Sequence, residues 1–255
     1  MHLLDVIILG IVEGITEFLP ISSTGHMILT SKLLGLPPTE FLKSFEIAIQ
    51  LGAILSVVFL YRKQLTTDME ALKRVAVAFL PTAVIGFVLY KMIKKFLLGN
   101  SSVVLWSLLL GGIFIIIFEL LHKEKKGAVN SLSTISFKQA FIIGICQSLA
   151  VVPGVSRSAA TIIGGLMLGV ERKTIVEFSF LLAIPTMACA TGLDLLKTSA
   201  SFNATEVGYL AVGFVVSFIT ALAAIKFLLA FIKNNNFIPF GIYRVLLALA
   251  LWRLV

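Results

Sequence analysis

The chain has 255 residues, of which 58% are hydrophobic and only 13% charged, and its mean hydropathy is +1.04. Because about a quarter of the residues of a soluble domain are charged, this composition excludes an ordinary soluble domain and predicts an all-α integral membrane protein. The net charge of +8 does not indicate a nucleic-acid partner, because lysines and arginines orient the loops of membrane proteins. Cys146 and Cys189 lie in apolar runs and are predicted to be packed thiols.

The first predicted element, 1–43, is a pair of short apolar helices interrupted at Pro20. Proline removes a backbone donor and clashes with the preceding turn, so the segment does not read as one continuous helix. Three full spans follow, and a second interrupted pair occupies 136–170, with its break at Pro153 and Gly154. Each predicted span approaches the roughly 20 residues that a hydrocarbon core requires. The six spans are 44–61, 74–91, 102–121, 174–196, 206–226 and 237–255.

The two interrupted pairs belong to an internal repeat. GIVEGITEFLPISS begins at Gly10 and GICQSLAVVPGVSRS at Gly144, so 1–125 and 134–255 are predicted to be two copies within one integrated domain. Broken helices at corresponding places predict re-entrant hairpins whose tips form a binding site. Three spans separate the hairpins, and three is odd. The first hairpin therefore enters from one side and the second from the other, which gives an inverted-topology repeat.

The basic residues set the predicted orientation. With the 62–74 loop inside, 13 of the 21 lysines and arginines face the cytoplasm and 7 lie outside, as the positive-inside rule favours. Arg157 is left at a hairpin tip, and both termini lie outside. The predicted cytoplasmic set is Arg62, Lys63, Lys73, Arg74, Lys123, Lys125, Lys126, Lys138, Arg172, Lys173, Lys226, Lys233 and Arg244.

Glu13 and Glu17 are two acids at predicted membrane depth. Residues four apart share a helix face, so their side chains are expected about 6 Å apart. A shared proton, a nearby arginine or a divalent cation would compensate for like charges in this setting. Mg²⁺ and Ca²⁺ bind carboxylate oxygens and bridge to phosphates, so we predict a cation there. A proton relay and a structural pair are the alternatives.

PISSTGH follows the first break and supplies three hydroxyls and a histidine. Histidine is the usual general acid or base near neutral pH, and serine is a nucleophile only beside such a base. Ser23 and His26 are therefore candidates for catalysis, and Ser22 and Thr24 for substrate binding. The plainer interpretation of His26 is a histidine whose bonds are satisfied within the core.

The second tip, PGVSRSAAT (153–161), carries the more specific signal. Ser156 or Ser158 can cap a helix whose free N–H groups form an anion site. Arg157 adds a planar fork of donors that matches phosphate oxygens. The alternative is a capped turn with Arg157 extending to the membrane interface.

Other polar side chains lie near these tips in the predicted topology. Gln147 occupies the place of Glu13 in the second repeat, and Glu46 shares a face of the first full span with Gln50. Support of a bound ligand and plain interhelical hydrogen bonds are both open for them. Gln50 is retained as a candidate for substrate binding.

These motifs resemble those of the undecaprenyl-diphosphate phosphatase family, also called bacitracin-resistance proteins. The resemblance covers essentially the whole chain through EGITEFLPISSTGH, FEIAIQLGAI, PGVSRSAAT and YRVLLALAL. Ala159 stands where the family pattern leads us to expect glycine, and this removes no reacting group. The family's (E/Q)xxxE, SSTGH and PGxSRSxxT patterns fall on Glu13, Glu17, Ser22, Ser23, Thr24, His26, Ser156, Arg157, Ser158 and Thr161.

The resemblance implies a multi-pass enzyme of the bacterial plasma membrane whose active site opens to the outer face. It would hydrolyse undecaprenyl diphosphate, a polyprenyl diphosphate lipid, to the monophosphate carrier used in peptidoglycan synthesis, and confer bacitracin resistance. Arg157 would bind phosphate, and Glu13 with Glu17 would hold Mg²⁺ or Ca²⁺. The nucleophile stays open between Ser23, His26 and a metal-bound water. A homodimer is compatible with the sequence, which does not indicate an oligomeric state.

Two other classes of function compete with this interpretation. A secondary transporter or lipid flippase also uses inverted repeats with broken helices, and it would move intact lipid without releasing phosphate. A structural membrane scaffold would have no use for a polar pocket. No Walker A loop, HExxH or paired CxxC motif occurs in the sequence, so nucleotide-driven and zinc chemistries lack support.

Overall fold

The computed structural model describes residues 1–92, 101–124, 127–197 and 202–252, and these are almost wholly helical. Five helices within those ranges are long and apolar enough to cross a membrane, which confirms the all-helical membrane class. The helices are α1 (Leu3–Thr16), α2 (Ser23–Leu33), α3 (Glu40–Leu60), α4 (Arg62–Thr67), α5 (Met69–Met92), α6 (Ser101–Leu121), α7 (Phe137–Ser148), α8 (Arg157–Met167), α9 (Arg172–Lys197), α10 (Ala204–Phe231) and α11 (Ile238–Leu251).

The chain breaks where the prolines predict. Six residues around Pro20 separate α1 from α2, and a 3₁₀ turn at Leu149–Val151 followed by Pro153 and Gly154 separates α7 from α8. The four helices flanking the breaks have only 11 to 14 residues. At about 1.5 Å per residue none of them reaches across a core of about 30 Å.

The last predicted span is shorter than the sequence suggests. Helix α11 covers 14 residues, about 21 Å at 1.5 Å per residue, and falls short of a full crossing. Residues 253–255 of the predicted span 237–255 lie outside the described part of the chain. The prediction of packed thiols is also wrong at one position, because Cys189 is exposed, whereas Cys146 is partly buried. The sequence could not separate the two cases, because residues that face lipid or a cavity lie in runs as apolar as those that face the core.

The helices that precede the two breaks each pack along a long helix: α1 on α10 and α7 on α5. The contact of α7 with α5 needs glycine, because a Cβ at Gly144 would lie 2.0 Å from the Ala78 carbonyl oxygen. Thr82 of α5 donates to the Gly144 carbonyl at 3.1 Å, and Thr220 of α10 donates to the Gly10 carbonyl at 3.4 Å. These close contacts bring the end of α1 and the end of α7 toward one point inside the molecule.

Candidate active site

The two hairpin tips meet. The Ser158 hydroxyl of the second tip donates to the Leu19 carbonyl of the first at 2.9 Å. The tips also share one backbone conformation, since Ser22 has a φ of 73° and Ser156 a φ of 76°. They are the only non-glycine residues with positive φ in the described ranges. Each serine caps the following helix, because its side chain accepts a backbone N–H three residues on.

Three side chains with complementary chemistry meet at these tips. The Ser23 hydroxyl donates to Glu17 Oε2 at 2.5 Å, and Arg157 Nη2 lies 3.3 Å from Glu17 Oε1. Arg157 Nη1 also donates to the Ser179 carbonyl at 2.8 Å. A hydroxyl, a carboxylate and a guanidinium are thus joined, and the buried Nε–H of the guanidinium has no partner among the described residues.

Glu13 and Gln147, which the sequence predicts to be repeat counterparts, have opposite surroundings. Glu13 is fully buried, and neither carboxylate oxygen has a hydrogen-bond partner in the described part of the chain. Gln147 is also buried, but its amide donates to the Thr82 and Thr186 hydroxyls at 2.9 and 3.1 Å. Its Oε1 lies 3.3 Å from the Thr161 hydroxyl. Glu13 is therefore the position whose protein contacts are incomplete.

Both nitrogens of the His26 ring are engaged by the protein. Nδ1 lies 2.7 Å from the Ser22 carbonyl, and Nε2 lies 2.8 Å from the Tyr243 hydroxyl. The two rings stack with an interplanar angle of 6°. A carbonyl only accepts, so Nδ1 carries a proton, and in the neutral ring Nε2 accepts from Tyr243. Sequence reasoning missed Tyr243, although it begins the YRVLLALAL stretch.

A cavity of about 1210 Å³ extends from the tips. Its inner end is polar, and its walls are apolar side chains of α5 and α9 together with the turn before Pro153. Val84, Phe87 and Val88 of the α5 wall are 60%, 81% and 70% exposed. The cavity is therefore open sideways, toward the surface that lipid covers in a membrane.

The predicted site residues divide into two groups by their position relative to this cavity. One group lines it: Glu17, Ser22, Ser23, Thr24, Gln50, Ser156 and Arg157. The other group is buried next to the tips and is not among the described lining residues: Glu13, His26, Ser158 and Thr161.

Arg244 is not at the cytoplasmic face, where the charge pattern predicted it. Its side chain is fully buried beside the tips and donates to the Val155, Gly154 and Ser107 carbonyls at 2.8 to 2.9 Å. The prediction is wrong because the positive-inside rule assumes that a basic side chain reaches the membrane surface, whereas buried backbone carbonyls are the partners of Arg244. Of the other twelve residues of the predicted cytoplasmic set, Lys125 and Lys126 lie outside the described part of the chain, and the orientation stays a prediction from the sequence.

Comparison with known proteins finds similarity along nearly the whole chain. A model of the family described as bacitracin resistance protein BacA matches residues 6–250. A Sulfurihydrogenibium protein named undecaprenyl-diphosphatase is 56% identical over 249 residues, covering 98% of this chain and 98% of the relative. The Aquifex aeolicus undecaprenyl-diphosphatase is 56% identical over 95% of this chain and 94% of its own length. That of Wolinella succinogenes is 52% identical over 98% and 96% respectively.

Proposed function

The chain belongs to the bacitracin resistance protein BacA family, and we propose that it acts as the family's membrane phosphatase. It hydrolyses undecaprenyl diphosphate to undecaprenyl phosphate and phosphate, which recycles the lipid carrier for peptidoglycan synthesis and confers bacitracin resistance. One observation carries the assignment: a cavity with a polar inner end and apolar walls that open sideways. A diphosphate on a long prenyl chain has the same division of polarity.

The head group is proposed to lie at the tips, between Arg157 and the N-termini of α2 and α8. Arg157 donates one N–H to the Ser179 carbonyl and one to Glu17, and the other three of its five N–H groups can donate to phosphate oxygens. The helix N-termini add backbone N–H groups and a favourable dipole. Ser22, Thr24, Ser156 and Gln50 border the same space and are the proposed polar contacts. Ser158 and Thr161 are proposed to support the tip from behind.

We propose that Ser23 is the nucleophile and Glu17 its base. The Ser23 hydroxyl borders the cavity and already donates to Glu17, whereas His26 does not border it and has both nitrogens engaged. The Ser23 oxygen bonds to the terminal phosphorus as the bond to the bridging oxygen breaks, and the proton passes to Glu17. Undecaprenyl phosphate leaves, and water then cleaves the phosphoserine. Such transfer requires chiefly positioning and charge neutralisation.

A divalent cation, Mg²⁺ or Ca²⁺, is part of the proposal. The residues fit one, because buried carboxylate oxygens of Glu13 lack any partner in the described chain. Glu13 and Glu17 would hold the ion, which when bound neutralises charge on the phosphates. The described residues offer no cluster of three or more acidic, histidine or cysteine ligands. The remaining ligands would therefore be phosphate oxygens and water, which is usual for Mg²⁺.

The inverted repeat and the outward-facing mouth are proposed as well. The matched conformations of Ser22 and Ser156 support the repeat, with halves at 1–125 and 134–255, as do the matched threonine bonds to Gly10 and Gly144. The cavity walls lie in the later parts of α5 and α9. Those helix ends are the ones that the charge bias assigns to the outside. A homodimer stays a prediction that light scattering in detergent would measure.

Phosphate release from undecaprenyl diphosphate by the purified protein in detergent tests the activity. Wild-type turnover with loss of activity in Ser23→Ala is the expected result. A transporter or flippase would instead move intact lipid in vesicles and release no phosphate. Acid quenching during turnover should trap phosphate on Ser23, and mass spectrometry would detect it. Full activity of Ser23→Ala would remove Ser23 as the nucleophile and leave a water as the attacking group.

A further inference from the structure

Two adjacent residues of α11 hold the backbone of the hairpin tips. Arg244 contacts both tips directly, and Tyr243 contacts the first tip through the His26 side chain. We propose that they form a tip clamp, which holds the reacting groups of the two hairpins in register. The proposal rests on the phosphatase function and adds positioning residues to it. Neither residue borders the cavity among the described lining residues, so the clamp acts through other groups.

Arg244 joins three segments of the chain. Nη1 donates to the Val155 carbonyl at 2.9 Å and lies 3.4 Å from that of Pro20. Nη2 donates to Gly154 and Ser107 carbonyls, both at 2.8 Å. Arg244 is fully buried and pairs with no carboxylate among the described residues, and such a guanidinium is costly unless its donors are satisfied. A planar fork of five N–H groups can bridge both tips and α6 at once, whereas an ammonium cannot.

The contact with Val155 also orients the next peptide group. The C=O and N–H of a trans peptide point in opposite directions, so drawing the Val155 carbonyl to Arg244 turns the Ser156 N–H away from it. Ser156 borders the cavity, and its N–H is thereby offered to the phosphates. The positive φ of Ser156 costs free energy and persists only where surrounding contacts over-determine it. Arg244 supplies such contacts on the residues just before it.

Tyr243 holds the first tip through His26. Its hydroxyl donates to Nε2 of the neutral His26 ring, and Nδ1 donates to the Ser22 carbonyl. Ser22 has the same strained φ as Ser156 and precedes the proposed nucleophile, Ser23. His26 thus belongs to the clamp as a positioning residue, and proton transfer is left to Glu17.

The first test separates rate from binding. Tyr243→Phe keeps the stacked ring and loses the hydrogen bond, and we expect kcat to fall about tenfold with KM within about twofold. Arg244→Lys should lower kcat further than Tyr243→Phe does, because one ammonium cannot bridge the tips. Arg172→Lys is the matched control, since Arg172 pairs with Glu119 and lies over Phe237. It should leave kcat unchanged even if it lowers the melting temperature.

The second test asks whether Tyr243 acts through His26. We expect His26→Gln to remain measurably active, and Tyr243→Phe to cause no further loss in that background. Additive losses, complete inactivity of His26→Gln, or wild-type kcat in Tyr243→Phe would overturn the clamp. Should Arg244→Lys fail to fold, the Tyr243 and His26 variants decide alone. Absence of phosphate release by the wild type would instead refute the phosphatase function itself.

Discussion

Replacing Arg157 by lysine isolates the geometry of the proposed phosphate contact. In the structure two donors of Arg157 are committed to Ser179 and Glu17, which leaves three N–H groups for phosphate. A lysine ammonium has three donors in all and would keep about one after the same commitments. Losing one bidentate, charge-assisted contact costs about 1.5–3 kcal/mol, or roughly ten- to a hundredfold in rate.

The assay is initial-rate phosphate release over a range of lipid concentrations. If the contact forms mainly in the transition state, the loss appears in kcat, and if it also holds the bound lipid, KM rises. Arg74→Lys is the control, because Arg74 also pairs with a glutamate and a backbone carbonyl but lies away from the cavity. It should retain wild-type kinetics. Near-wild-type kcat/KM in Arg157→Lys would refute the phosphate clamp and leave binding to the helix N-termini.

Three further results are expected. A chelator should abolish wild-type turnover, and Glu13→Gln should lose activity and its response to added Mg²⁺ while still inserting; a chelator-insensitive wild type would remove the metal. In a chain with Cys146 and Cys189 replaced by alanine, a cysteine introduced at Pro38 should react with an impermeant thiol reagent added outside the cell. A cysteine introduced at Asn234 should not react. The opposite pattern would show that the predicted orientation is wrong. In the native chain, a bulky thiol reagent on Cys189 should inhibit because that residue borders the cavity, and inhibition that persists in Cys189→Ala would exclude this cause.

The interrupted helices could be read from the sequence because the physics is local. A proline within an apolar segment stops the hydrogen-bonding pattern wherever the chain lies, so the breaks near Pro20 and Pro153 follow directly. The contact between the two tips followed from one further step, the expectation that broken helices at repeated positions form one site. Both inferences need only short motifs and their spacing.

Arg244 shows where such reading fails. Its partners are backbone carbonyls of residues distant in sequence, and a carbonyl is present at every position. No residue type marks them, so no spacing rule could have found them. The same reason hides the sideways opening of the cavity. Phe87 faces it with a side chain that is as apolar as any in the core.

The proposed repeat also explains why the two tips carry different chemistry. Ser22 and Ser156 each cap the helix that follows the break, and both have a positive φ, so the two hairpins contain the same strained turn. The next position differs, with Ser23 in one tip and Arg157 in the other. A two-fold relation places equivalent positions on opposite sides of a shared axis. One tip can then present the attacking hydroxyl while the other presents the counter-charge, and neither hairpin alone would contain both. Arg157→Ser gives the second tip the same residue that the first tip has at this position, Ser23. It should nevertheless abolish turnover, because the counter-charge is lost.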